Sequence, residues 1–419
     1  MEHSDKLCIF AANLVYMKHL VIRNIGPLKD VDIALSKINL IIGPQSTGKS
    51  CILKIASFCA WVEKTISLNQ DKRDFLSREA IDKNLIAFHN LQGYVDNSSF
   101  FEYETEIMRF SFSFKDNKSV FEWKEGRWDF KRNKISYIVA ERNILSVIPN
   151  WYEIDFPNNS IRYFMKEWQN ARNSIGDKEP LSILNTGIRY KYDKNRGTDK
   201  IMLNDGKEFN LLNASSGLQS LIPLFVFINY ISNYIFTLDI QSIKDQEAKV
   251  NLLYQLKENH PSGKYISIED HGISVASDAL HYIIDSFTKY DHSDIYLEEP
   301  EENLFPETQQ DLVNWLAEIV NGERNHTLFI ATHSPYIMSA FNNLIQAGDI
   351  IEESPEKKTE VEKIIGGNRA IKYDDVAAFA IANGSVHSIK DDELRLMSPS
   401  ELDTVSDDIS NVFNKLLEL

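Results

Sequence analysis

Short apolar runs and longer amphipathic ones alternate along the chain, and together they predict a mixed α/β protein. Over residues 19–42, β-type runs (HLVIR, VDIAL, INLII) are separated by polar breaks at 24–29 and 36–37, a hairpin leading into one further strand. That strand, 38–42, ends in a glycine-rich loop, and a helix-compatible run over 51–61 follows. Residues 67–91 are charged and helical in pattern. Between Phe100 and Phe130, aromatic and β-branched residues alternate with polar ones (EYETEIMRFSFSF, then VFEW), which predicts an antiparallel sheet. The apolar strand 135–140 ends in Glu141-Arg142-Asn143, where Arg142 could either face phosphate or sit in a surface salt bridge. A helix is predicted near 161–169, and a hairpin over 200–211 turning at Asn204-Asp205-Gly206. The stretch 218–238 approaches membrane-spanning length, yet Gln219, Ser220, Pro223, Asn229, Ser232 and Asn233 make it a buried core helix. Helical character then surrounds one strand-like segment, 264–269. The tail reads as a small α/β extension (VAAFAIANGSVHSIK) and a helix near 402–417.

The loop after the third strand is GPQSTGKS, Gly43 to Ser50. Strand, glycine-rich loop and helix in that order make a phosphate cradle. The glycines permit close backbone approach, and successive N–H groups at a helix N-terminus face the phosphate oxygens. Lys49 then reaches the β- and γ-phosphates, and Ser50 ligates Mg²⁺. The expected nucleotide-binding set is Gly43, Pro44, Gln45, Ser46, Thr47, Gly48, Lys49, Ser50 and Cys51.

Three further stretches fit the same chemistry. In DIYLEEPEENLFP, an apolar run ends in two acids: Glu298 to hold the metal and Glu299 to polarise the attacking water. ATHSPYI follows another strand and places His333 where it can bond a γ-phosphate. In NASSGLQS, hydroxyls precede the long apolar helix; an ordinary serine N-cap is the simpler reading, and an anion site built from a helix N-terminus is the functional one.

Composition narrows the class. The 419 residues, 43% apolar, are enough for one elaborated domain or several small ones. With 45 Lys plus Arg against 61 Asp plus Glu, the formal charge of −16 works against non-specific adsorption to DNA or anionic lipid. Cys8, Cys51 and Cys59 form no CxxC or Cys/His cluster, so neither disulfides nor structural zinc is expected, and a reducing cytoplasm fits. The run 7–16 is a poor signal peptide, and no membrane association is expected.

GPQSTGKS, NASSGLQS, YLEEPEENL and ATHSP, in this order, resemble the ABC-type P-loop ATPases, in the branch containing SMC, RecF and the OLD-like ATPases. The resemblance covers most of residues 17–346, and EEPE and THSP especially resemble the OLD-like group. It implies an ABC-ATPase head with a mixed sheet, an antiparallel β subdomain and an inserted helical lobe. Two such heads pair as a homodimer around two ATP molecules, so that Ser215, Ser216 and Gly217 act in trans. The pattern departs from the family at the signature, where ASSGL stands for LSGGQ, and at the metal position, where Glu298 replaces aspartate. Gln92 is the candidate for the glutamine that contacts Mg²⁺.

The domain reading is 1–16 as an N-terminal extension and 17–150 as the first part of the ATPase core. Residues 151–290 form a helical lobe with the signature loop, 291–346 complete the core, and 347–419 are a small C-terminal extension. Start sites at Met1 and Met17 both stay open. No segment is long or periodic enough for heptad arms, no CxxC offers a zinc hook, and with residues 347–419 remaining after the core an intrinsic nuclease activity is not expected. The chain thereby resembles ATPase subunits of bacterial anti-phage systems, which control a separate nuclease or toxin and can form higher oligomers. The alternative is a RecF/SMC-like maintenance ATPase that binds DNA when ATP is bound. The segment 232–293 is the expected place for partner contacts.

Overall fold

The computed structural model describes residues 18–148, 150–175, 179–237, 243–269, 272–398 and 412–416. The N-terminal extension with Cys8 and Met17, His271 and most of the helix expected over 402–417 lie outside the described residues.

Strands β1 (Lys18–Ile25) and β2 (Leu28–Leu35) form the predicted hairpin, paired from Lys18↔Leu35 to Ile25↔Leu28. Their alternation is what a half-buried sheet requires: Leu20, Ile22, Val31 and Ile33 face the core while Asp30 and Asp32 face water. Strand β3 (Ile38–Ile42) is buried at all five positions, as expected for a parallel strand covered on both faces. The long helix Lys49–Asn69 follows the glycine-rich loop. Strands β4 (Val95–Glu104), β5 (Met108–Ser113) and β6 (Lys118–Trp123) make the predicted antiparallel meander, its inner face filled by Phe101, Phe110, Phe112 and Phe114. Strand β7 (Asn133–Ile138) follows.

The region read as a helical lobe is only partly helical. Besides the helices Ser160–Ile175 and Ser216–Ser232, it holds a four-stranded sheet, ordered β11-β10-β9-β8, from β8 (Leu181–Ile183), β9 (Ile188–Asp193), β10 (Thr198–Leu203) and β11 (Glu208–Asn210). The Asn204-Asp205-Gly206 turn closes β10 on β11 as expected. In the segment 232–293, the helix Ile243–Asn259, the hairpin β12 (Ile266–Glu269) and β13 (Gly272–Val275), and the helix Asp278–Thr288 succeed one another. Leu252, Leu256 and Phe287 are buried there, and both helices pack against Lys49–Asn69, so this segment belongs to the core.

Strands β14 (His292–Glu298), β15 (Thr327–Thr332), β16 (Val376–Ala382) and β17 (Ser385–Ser388) complete an eleven-stranded sheet ordered β6-β5-β4-β1-β2-β17-β16-β3-β15-β14-β7. From β16 to β7 the pairings are parallel. The tail is therefore no appended extension: VAAFAIA is buried over its first six residues and lies in register beside β3, from Val376↔Ile38 to Ala380↔Ile42. The β16–β17 hairpin joins the two halves of the sheet, with Gly384 O accepting from the backbone N–H groups of Lys29 (2.7 Å) and Asp30 (3.2 Å). The antiparallel subdomain is thus one end of a continuous sheet. The one described helix long and apolar enough to cross a membrane, 216–237, has 72% of its apolar window buried within the fold.

Candidate functional site

Parallel strands deliver the loops at their C-terminal ends to one edge of a sheet. Here β3, β15, β14 and β7 are neighbours, and that edge receives Gly43 to Ser50, His333, Glu298-Glu299 and Ala140 to Arg142.

The phosphate loop is shaped by Gly48, whose φ of +106° few side-chain-bearing residues adopt; a Cβ there would lie 2.6 Å from Leu28 Cδ2. The loop is closed on itself. Thr47 Oγ1 donates to Pro44 O (2.9 Å), and Lys49 Nζ donates to Gly43 O and Pro44 O, both at 2.8 Å. Lys49 is 6% exposed; burial pushes its pKa down, and the charges of Glu299 and Glu301 act against that shift, which places both acids beside the loop. Pro44, Gln45 and Ser46 are exposed, and Ser50 is half-buried at the start of the helix. Burial pushes the Cys51 thiol up to about 11, and Glu298 adds to the shift while Lys54 opposes it. The Glu298 charge is therefore felt at Cys51, the residue after Ser50.

Glu298 ends β14 with a buried carboxylate. Tyr137 Oη donates to its Oε1 (2.5 Å) and the Ala140 N–H donates to its Oε2 (3.2 Å). Glu299 has a positive φ of +43°, which a residue with a Cβ adopts only when its surroundings impose it. The constraint is visible: its N–H donates to Ala331 O (2.8 Å), and Arg142 donates to the carbonyls of Glu298 (2.9 Å) and Glu299 (2.7 Å). Arg142 is therefore no surface salt-bridge residue; it is fully buried, with Glu302 3.6 Å away, and clamps the acidic turn.

His333 leaves the end of β15. Its N–H donates to Glu301 Oε1 (2.7 Å), and its Nδ1 lies 3.2 Å from that oxygen and 3.8 Å from Glu299 Oε1. Glu301 is 7% exposed, and its Oε2 has no hydrogen-bond partner. Ser334 caps the helix Pro335–Glu353 by accepting from the Tyr336 and Ile337 N–H groups.

Ser215 is the N-cap residue of Ser216–Ser232, but its hydroxyl makes no capping bond; Ser215 and Ser216 are both exposed. The simple capping role is therefore not the one the structure gives this loop. Gly217 sits against the acidic turn, where a Cβ would come within 2.9 Å of Asn303 O, and Asn303 Nδ2 donates to Ser220 Oγ (2.9 Å). Gln219 donates to Leu211 O and Leu212 O, holding the loop from behind.

The structure thus gathers Lys49, Ser50, Glu298, Glu299 and His333 at one edge, and docks 215–217 on the same acidic turn. Gln92 is exposed in the turn leading to β4, and the groups bonded to Glu298 are Tyr137 and the Ala140 N–H. Tyr137 and Glu301 were not singled out in the sequence. Glu301 was visible as the second acidic pair of EEPEE; Tyr137 gave no local signal, because its role depends on the pairing of β7 with β14.

No protein-family model matches the chain, and no curated protein matches it. Among solved structures it is similar to the SMC head domain from Thermotoga maritima, with 11% identity over 90% of this chain and 98% of that one and a TM-score of 0.38. The Smc head domain bound to the C-terminal domain of ScpA, from Pyrococcus furiosus, aligns with 10% identity over 89% and 96%, at a TM-score of 0.37. RecF with ATPrS, the recombination mediator of the RecFOR pathway, aligns with 11% identity over 89% and 98%, at a TM-score of 0.30.

Proposed function

We propose that the chain is an Mg²⁺-dependent ATPase of the ABC type whose heads pair around ATP and whose ATP-bound state controls a separate effector protein, as in anti-phage systems. The observation that carries the enzymatic part is the convergence of the phosphate loop, the Glu298-Glu299 turn and His333 at the ends of three adjacent parallel strands. The effector part rests on the resemblance of EEPE and THSP to the OLD-like group.

In this reading the Lys49 ammonium leaves the Gly43 and Pro44 carbonyls and pairs with phosphate oxygens, while the loop N–H groups bind the remaining charge. Ser50 and Glu298 fit a hard cation: one hydroxyl and one carboxylate whose oxygens each accept a single hydrogen bond. When bound, that cation neutralises charge building up on the phosphates. Glu299 orients and deprotonates water, and His333, backed by Glu301, donates to the γ-phosphate.

Glu299→Gln tests this. The variant is expected to bind ATP as tightly as the parent and to lose at least a hundredfold in turnover, within the range for removing a general base. Turnover at the parental rate would remove Glu299 from the chemistry.

A further inference from the structure

A cavity of about 300 Å³ opens between the helix Lys49–Asn69, the π-helical turn Asp82–Ala87, β7 and the start of Ser160–Ile175. None of its described lining residues belongs to the phosphate loop. Six of them are aromatic, namely Phe58, Trp61, Phe88, His89, Tyr137 and Tyr163. The rings brace one another, with centroid separations of 6.1 Å for Phe58–Trp61, 4.9 Å for Phe88–His89, 6.3 Å for Phe88–Tyr163 and 5.1 Å for His89–Tyr137. The space is therefore preformed, and its volume is at the small end of ligand sites.

Two features set it apart from a packing defect. His89 is 3% exposed and its Nδ1 is buried without a hydrogen-bond partner, a state native proteins rarely leave unexplained. The chain reaches His89 through a π-helical turn, a distortion common at functional positions, and that turn presents Asn84 to the cavity.

The lining also defines the chemistry of an occupant. None of the described lining side chains is Asp, Glu, Lys or Arg, and His89 is kept neutral, its pKa pushed down to about 3 by burial and then by Lys54. A charged group would be desolvated without compensation. A saturated chain would need only apolar walls. Asn84 and Asn158 instead offer paired donors and acceptors of the kind a side-chain amide uses on an adenine edge. We infer that this cavity binds an uncharged, planar heterocycle of purine size, held between its aromatic walls and recognised at its edge by Asn84 and Asn158.

The test is calorimetric titration of adenosine and of guanosine into the full chain, alone and with Mg²⁺ and ATPγS present to fill the phosphate loop. At least one purine nucleoside should bind saturably at one per chain in both conditions. Its Kd should weaken at least tenfold in Asn84→Ala and in Asn158→Ala, whose side chains are half-buried and exposed and whose loss leaves the core intact. The inference is overturned if neither nucleoside saturates by millimolar concentration, or if binding vanishes when ATPγS is present. It is equally overturned if both amide variants bind as the parent does, or if indole, which lacks the edge groups, binds as well as the nucleosides. Because binding itself is the readout, an absence of ATP turnover would leave the result interpretable.

Discussion

At the scale of single residues, the acidic turn is held from behind by buried groups. Arg142 fixes two successive carbonyls, and this makes the positive φ of Glu299 tenable; Tyr137 fixes one oxygen of Glu298. The Tyr137 phenol is held well above its usual pKa, by burial first and then by the Glu298 charge, so it remains a donor across the working pH range. Tyr137→Phe keeps the ring and removes only this bond. A hydrogen bond to a charged group contributes about 1.5 kcal/mol, so kcat should fall roughly tenfold with little change in KM for ATP. Steady-state kinetics decide it: an unchanged kcat would mean that Glu298 holds its orientation through the Ala140 N–H alone.

At the scale of elements, what could be read in advance was what depends on neighbours in sequence. The phosphate loop is eight consecutive residues between a buried strand and a helix, and the Glu298 and His333 loops each follow an apolar run, so all three were legible. Strand β16 was not. VAAFAIA is as apolar as β3, but nothing local shows that a segment starting 44 residues beyond Thr332 passes back to pair with Ile38 to Ile42. The fully buried Arg142 was missed for the same reason: its partners are more than 150 residues away. The opposite end of β14 carries a second polar cluster. There Asp294 accepts from Asn133 and Thr327, and His292 lies between Asp291 (2.9 Å) and Asp294 (3.4 Å). Burial opposes the charge on His292, and the bonds to Asp291 and Asp294 outweigh it against the further opposition of Lys18, lifting the pKa to about 8. A raised folded-state value stabilises fully below pH 6.5 and is lost as pH rises through 8, a change of about 2 kcal/mol. His89 and His326, depressed to about 3 and about 4, mainly by burial, have the opposite sign and cost stability only as pH falls below 6.5. Melting curves from pH 6.5 to 9 should therefore decline in the parent and be flatter in His292→Gln; parallel curves would show that His292 carries no such linkage.

At the scale of the whole molecule, the open question is which chain completes the nucleotide site. The helix Ser216–Ser232 presents two exposed serines and an uncapped N-terminus, the arrangement that binds anions without a basic residue. Yet Ser220 is bonded to Asn303 of the same chain and Gly217 packs closely against it, so the exposed hydroxyls of Ser215 and Ser216 are left for a facing surface. If that surface is the phosphate loop of a second copy, ATP is the bridge, and two chains of formal charge −16 must be brought together against their own repulsion. Sedimentation of Glu299→Gln with Mg²⁺ and ATP should then show a dimer that strengthens with added salt, as screening lowers the repulsion between like-charged heads. Adding Ser216→Glu sets a carboxylate against the facing phosphates. That double variant should still bind one ATP per chain and sediment as a monomer. A dimer that survives the change would leave the serine loop outside the interface and the nucleotide site complete within one chain.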